Sequence, residues 1–138
     1  MNEEMNLPVD LLEAARAARQ NAHSPYSGFR VGAAIRLQGG AIFNGCNVEN
    51  ASYGATICAE RGAILSAVAA LGALSIVQIV VLSDANPPWP PCGMCRQVIA
   101  EFAAPNCRVW CVNEAGEGFL QSFEALFPRG FGGANLEK

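Results

Sequence analysis

Three consecutive stretches decide the architecture: CAERGAILSAVAAL at 58–71, SIVQIVVL at 75–82 and PCGMCRQVIAEF at 91–102. In the first, Ala, Leu and Ile recur at helical spacing from Cys58 to Leu71. The second, Ser75 to Leu82, is a solid β-branched run, long enough for a strand buried on both faces. A proline-rich loop, Ser83 to Pro91, leads into the third, a helix over Cys92 to Phe102. Downstream, Arg108 to Val112 predicts a strand. The turn Asn113-Glu114-Ala115-Gly116-Glu117-Gly118 then leads into a short strand near Phe119, and Phe123 to Phe127 predicts a final helical turn. Upstream, Val31 to Leu37 and Ala41 to about Asn47 are short apolar strands joined through Gln38-Gly39-Gly40, a hairpin signal. Val9 to about His23 reads as an amphipathic first helix carrying Leu11, Leu12, Ala15 and Ala18. Ser24-Pro25-Tyr26-Ser27-Gly28 breaks it, and Val48 to Thr56 is a loop. The order α-β-β-α-β-α-β-β-α predicts an α/β fold in one domain, residues 1–138, with helices on the faces of a mixed sheet.

A chain of 138 residues can bury a core without disulfide staples. Only 15% of its residues are charged, against roughly 25% in an average soluble protein, so part of the surface is expected to be buried between subunits. A net charge of -3 and a pI near 5.1 argue against a nucleic-acid partner, which needs a basic face. The start, Met1 to Asn6, is acidic and lacks the apolar stretch of a signal peptide. No apolar run reaches the roughly 18 residues of a membrane span. A soluble, cytoplasmic protein without membrane contact is expected. Six cysteines would suit a secreted disulfide scaffold, but in a reducing compartment Cys-x-x-Cys favours metal or redox chemistry. Cys46, Cys107 and Cys111 lie in apolar, strand-like contexts and read as plain buried thiols.

The remaining cysteines, Cys58, Cys92 and Cys95, fall at two predicted helix starts. Pro91 suits a first helical turn, where its missing amide hydrogen is not needed. Cys92 and Cys95, three apart, would share a helix face, and two helix N-termini would point their positive ends at the sulfurs and stabilise thiolates. Three thiolates leave one tetrahedral position of a zinc ion open, the arrangement of a catalytic rather than a structural site. Glu60 lies two residues past Cys58, close enough to move protons without binding the metal. Read singly, such a Glu is usually a solvated helix-face carboxylate. Beside Cys58, with Pro-Cys-x-x-Cys downstream, it matches the general acid-base of the zinc deaminase signature. Three thiolates on Zn²⁺ carry a net charge of -1, so something must withdraw charge from the sulfurs. Arg61, one helical turn after Cys58, is placed to do so, and Arg96 is a second candidate.

At this point the chain resembles the small, homotetrameric cytidine deaminases that act on free nucleosides. The matching stretches are Pro25 to Ala34 (PYSGFRVGAA), Gly45 to Tyr53 (GCNVENASY), Thr56 to Arg61 (TICAER) and Pro91 to Val98 (PCGMCRQV). The ending Leu126-Phe127-Pro128 with Phe131-Gly132 is also similar. The resemblance implies a three-layer α/β/α sandwich with a mixed five-stranded sheet, one Zn²⁺ per subunit and hydrolysis of cytidine and deoxycytidine to uridine and deoxyuridine. It implies that Glu60 carries protons from the attacking water to the pyrimidine N3 and the departing amine. Asn47 and Glu49 would bind the ribose, a buried carboxylate there repelling a 5'-phosphate, while the Ala59 backbone N–H and Glu60 would read the base edge. Phe29 would pack on the base or sugar. Ala51 and Tyr53 would contact the 5'-hydroxyl in a neighbouring subunit's site, and Phe131 would stack on a neighbour's pyrimidine, so active sites would be shared within a homotetramer.

Two departures from the family pattern stand out. Gly62 follows Arg61 where a bulkier residue is more usual, which costs helix stability or permits close helix packing. The stiff loop Asn86-Pro87-Pro88-Trp89-Pro90-Pro91 presents a Trp just before the zinc ligands, facing either the pocket or a subunit interface. His23, the sole histidine, reads as a helix C-terminal residue and not as a ligand. Three alternatives remain. A blasticidin-S-type deaminase has the same zinc site and a larger nucleoside substrate. A polynucleotide editor is disfavoured by the acidic pI. A non-catalytic zinc-stabilised module would have no need of Glu60.

Overall fold

Helix α2 (Ala59–Leu71) turns Ala59, Ala63, Ile64 and Ala67 inward, the i, i+4, i+5, i+8 stripe of one buried face. It packs on a sheet whose strands are β1 (Gly32–Leu37), β2 (Ile42–Cys46), β3 (Ile76–Ser83), β4 (Ala103–Asn113) and β5 (Gly118–Ser122). Among the described residues the other α-helices are α1 (Val9–Arg19), α3 (Gly93–Phe102) and the short α4 (Phe123–Leu126). This computed structural model describes residues 5–137, so the expectation of no leader at the N-terminus rests partly on Met1–Glu4, which lie outside the described residues.

The sheet order is β2-β1-β3-β4-β5. All neighbouring strands are antiparallel except β3 and β4, which run parallel through the α3 crossover. The sheet is therefore mixed and five-stranded, as expected. Its period-2 alternation divides the core in two. Ala34, Val80, Leu82, Trp110 and Val112 face α1 through Leu11, Leu12 and Ala15. Ile35, Ile79, Val81, Val109 and Cys111 face Ala63, Ile64 and Ala67 of α2, Ile99 of α3, and Phe123 and Leu126 of α4. One helix on one face and three on the other make the three layers.

Local boundaries differ from the sequence reading in instructive ways. Helix α1 stops at Arg19, and His23 lies beyond it in an isolated parallel bridge with Val48. Its N–H donates to Asn47 O and its carbonyl accepts from Glu49 N, so backbone pairing holds His23 and not a helix end. Pro91 precedes the N-cap Cys92 and lies outside α3. Strand β4 begins directly after α3, five residues earlier than expected, because Ala103 already pairs with Ile76.

The close approach of α2 to the sheet runs through Gly45 rather than Gly62. A Cβ on Gly45 would lie 2.4 Å from Ala63 N and 2.8 Å from Ala59 O, so α2 rests directly on β2 there. A Cβ on Gly62 would meet nothing nearer than 3.5 Å. Gly45 thereby sets the height of the N-terminal turn of α2 above the sheet.

Candidate metal centre and active site

The C-terminal ends of β2 and β3, the N-terminal end of β1 and the first turns of α2 and α3 converge on one cavity, where open α/β sheets usually bind ligands. Cys58 and Cys92 are the N-cap residues of α2 and α3, both extended and neither capping with its side chain. Cys95 follows in the first turn of α3 and is fully buried. The three Sγ atoms lie within 4.8 Å of one another, with Cys58 and Cys92 3.8 Å apart. Hydrogen bonding from Cys95, helped by Arg61 and Cys92, pushes the Cys58 thiol down to about 5 against the effect of burial. The same hydrogen bond, with burial, raises Cys95. The group thus favours holding one negative charge, which the hydrogen bond between Cys58 and Cys95 spreads over the pair.

Arg61 supplies part of that negative charge's counterpart. Its Nη2 donates to Cys58 Sγ at 3.4 Å and to Thr56 O at 3.2 Å. Its buried Nε has no partner among the described residues. Ligation that turned all three thiols into thiolates would give that cation more charge to oppose. Three convergent soft donors backed by a half-buried guanidinium fit a single zinc ion. Arg96, the second candidate for this task, is used elsewhere. Its Nε donates to Pro91 O at 2.7 Å and its Nη1 to Leu126 O, tying the entry of α3 to α4.

Glu60 is 4% exposed and opens onto the same cavity as the sulfurs. Burial pushes its carboxyl up to about 7, with the Cys58 thiolate adding to the rise while its own backbone N–H and Arg61 oppose it. The cavity holds about 330 Å³, the size class of a small-molecule site. Phe29, Val31, Val81, Trp89 and Pro90 supply apolar walls, and Asn47, Glu49 and Ser83 supply polar ones.

Of the residues expected to touch substrate, Phe29, Asn47, Glu49 and Ala59 are gathered here. Asn47 is buried, but much of its amide is committed to backbone: Oδ1 accepts from Val31 N at 2.9 Å and Nδ2 donates to Phe29 O at 2.8 Å. Glu49 is only half-buried, at the mouth, which corrects the expectation of a buried carboxylate. Its Oε1 accepts from Tyr26 N at 2.9 Å and Ser27 N at 3.1 Å, and its Oε2 from the Ser27 hydroxyl. These bonds, the hydroxyl's first, hold the carboxyl below the usual carboxylate range. Ala51, Tyr53 and Phe131 are not brought to this cavity. Tyr53 is 77% exposed and lies edge-on to Tyr26, and Phe131 is 56% exposed beside Phe127.

The family profile described as "Cytidine and deoxycytidylate deaminase zinc-binding region" matches residues 5–111. This chain belongs to the zinc-dependent cytidine deaminase family. Among curated members, a cytidine deaminase of Halalkalibacterium halodurans is 42% identical over 121 residues, covering 88% of this chain and 91% of its own length. A probable cytidine deaminase of Dictyostelium discoideum is 47% identical over 118 residues, covering 85% of this chain and 78% of its own. The crystal structure of a cytidine deaminase from Burkholderia pseudomallei superposes with a TM-score of 0.83 at 44% identity, covering 95% of this chain and all of that one. The mixed sheet and the three-cysteine centre are thus those of a cytidine deaminase, with zinc as the cofactor that the centre suits.

Two residues that support the walls of this deaminase site, Ser27 and Asp84, were missed from sequence. Ser27 orients Glu49 through both its amide and its hydroxyl, and Asp84 accepts from Arg30 N at 3.3 Å and pairs with Arg19. Ser27, in a Pro-Tyr-Ser-Gly turn, carries a local signal of that use. Asp84 carries none, because its partners lie 54 and 65 residues upstream.

Proposed function

We propose that this chain is a zinc-dependent enzyme that hydrolyses cytidine and deoxycytidine to uridine and deoxyuridine, releasing ammonia. The observation that carries the reading is the Glu60 carboxyl, buried, raised to about 7 and sharing one cavity with the three sulfurs. A group that titrates near neutrality can both accept and return protons there. Zinc, when held by Cys58, Cys92 and Cys95, supplies the Lewis acidity that makes a water reactive at neutral pH. Glu60 takes a proton from the attacking water and gives it to N3 as the hydroxyl adds to C4. It then moves the proton of that hydroxyl to the 4-amino group, which leaves as ammonia while C4 becomes the uridine carbonyl. Ala59, first residue of α2, has an N–H that the helix leaves unused and that can read the base edge. Glu49, held ionised at the mouth, suits the ribose hydroxyls and disfavours a 5'-phosphate.

Purified protein should lower cytidine absorbance, and Glu60→Gln should keep zinc while losing at least about 10²–10⁴-fold in turnover. Turnover within a few-fold of the parent would assign the proton transfers to another group.

One domain, residues 1–138, is supported by two core layers sharing one sheet. A cytoplasmic location is supported by six free cysteines, and no helix among the described residues is long and apolar enough to cross a membrane. A homotetramer with shared sites is supported by low charge and by exposed Tyr53, Phe131, Leu65 and Leu71. If Phe131 acts across subunits, chains truncated after Pro128 should regain activity on co-assembly with Glu60→Gln chains. A fully active monomer overturns the shared site.

A further inference from the structure

The apolar wall of the cavity contains two aromatic rings, Phe29 and Trp89, their centroids 4.8 Å apart and their planes inclined at 47°. Neither ring is carried on loose backbone. Trp89 lies between Pro88 and Pro90, and the buried Pro88 and Pro91 anchor the loop on either side of it. Each proline fixes its own φ and restricts the residue before it. At the loop's base, Asn113 Nδ2 donates to Ala85 O at 2.9 Å and Ala85 N donates to Ser83 Oγ at 3.3 Å. Phe29 is held as firmly, since its N–H donates to Ser27 Oγ at 3.0 Å and its carbonyl accepts from Asn47 Nδ2 at 2.8 Å. Asp84 joins the two segments: it belongs to the loop that carries Trp89 and accepts from Arg30 N, next to Phe29.

Resting on the deaminase reading, we propose that Trp89 is a specificity-determining residue. With Phe29 it forms a fixed wall along the C5–C6 edge of the pyrimidine and restricts the site to cytosine rings without a bulky C5 substituent. A cytosine that presents C4 to the three sulfurs and N3 to Glu60 turns its N3–C2 edge toward the start of α2. Its C5–C6 edge then faces the other wall at this end of the cavity, the loop of Trp89 and Pro90 that runs into Cys92. A flexible side chain there would move aside for a methyl or bromine. Trp89 is 48% exposed, but its proline-held backbone and the Phe29 ring against it leave it less room to do so. A single misfitting group in an apolar pocket typically changes kcat/KM by roughly 10-fold or more.

The test compares kcat/KM for cytidine, 5-methylcytidine and 5-bromocytidine in the parent and in Trp89→Leu, Trp89→Ala and Trp89→Phe. In zinc-replete Leu and Ala variants the 5-bromocytidine to cytidine ratio should rise about 10-fold or more, with Phe between them and the parent. A second readout needs no variant to fold. The chain has two tryptophans, and Trp110 is buried in the α1-side core, so uridine should quench parent emission through Trp89. A parent that turns over cytidine but shows no quench at saturating uridine overturns the role of Trp89 and leaves the deaminase reading standing. So does an unchanged ratio in the Leu and Ala variants. A parent inactive on every cytosine nucleoside overturns both.

Discussion

Two sets of thiols in this chain occupy opposite physical environments. Cys58, Cys92 and Cys95 stand at the first turns of α2 and α3, where the hydrogen bond from Cys95, with Arg61 and Cys92, brings the Cys58 thiol down to about 5. Cys107 and Cys111 point from β4 into the apolar layer between sheet and helices, where burial alone, or chiefly, pushes each up to about 12. Identical chemistry is made a ligand in one place and a hydrophobe in the other by the backbone that carries it. Extended N-cap geometry leaves the sulfur facing a helix end, whereas the alternation of a central strand seals it against Ile and Val side chains.

The comparison breaks most decisively at the metal. Cys95→Ala should abolish stoichiometric zinc, since two thiolates cannot hold the site alone. Cys107→Ala should retain one zinc per chain and lose only about 1–2 kcal/mol of stability to the small void it leaves. Metal analysis beside chemical denaturation separates the two. Zinc lost equally from both variants would mean that the sheet core and the centre are not independent.

The core thiols also set a smaller, pH-dependent effect. Their folded values lie near 12 against an ordinary 9.0, so the folded state keeps protons that the unfolded chain releases. Stability from these groups is full below pH 9 and falls as pH rises from 9 toward 12, by at most about 4 kcal/mol for each thiol. Cys58 has the opposite sign: its depressed value adds stability to the metal-free protein as pH rises from about 5 to 9. The doubly substituted Cys107→Ala, Cys111→Ala protein should therefore lose less stability than the parent between pH 9 and 11. Parallel pH profiles for the two would contradict the assignment.

Sequence spacing and helix starts set Cys58, Cys92 and Cys95 apart as one cluster, and strand context placed Cys107 and Cys111 in the core. Cys46, read with those two as a buried thiol, is only half-buried at the end of β2. Spacing also made the element order legible, since each helix and strand buries its own periodic face. What it left obscure depends on contacts distant in sequence. The end of α1 is hidden because His23 pairs with Val48, in a strand-like segment 25 residues on. Arg96 looked available to the sulfurs from its place beside Cys95, yet carbonyls of Pro91 and Leu126 capture it. The direction of Trp89 was open because a proline-rich loop fixes its own shape without revealing which neighbour it meets.

The smallest expected effect tests how closely the metal-bearing helix is seated. Gly62 lies inside α2, one turn past Cys58, where glycine costs up to about 1 kcal/mol relative to alanine. Its absent Cβ would sit 3.5 Å from Cys46 O and 3.7 Å from the Gly45 Cα, ordinary van der Waals distances. Neither contact needs relief, because the tight approach is made at Gly45, where a Cβ would fall 2.4 Å from the Ala63 amide nitrogen. Gly62→Ala should thus gain about 0.5–1 kcal/mol, raise Tm by about 2–5 °C and leave zinc content at one per chain. A loss of stability would mean that α2 rides on β2 along both glycines, and that the height of the Cys58 end depends on the pair together. A gain assigns that height to Gly45 alone, and with it the position from which Cys58 and Glu60 enter the cavity.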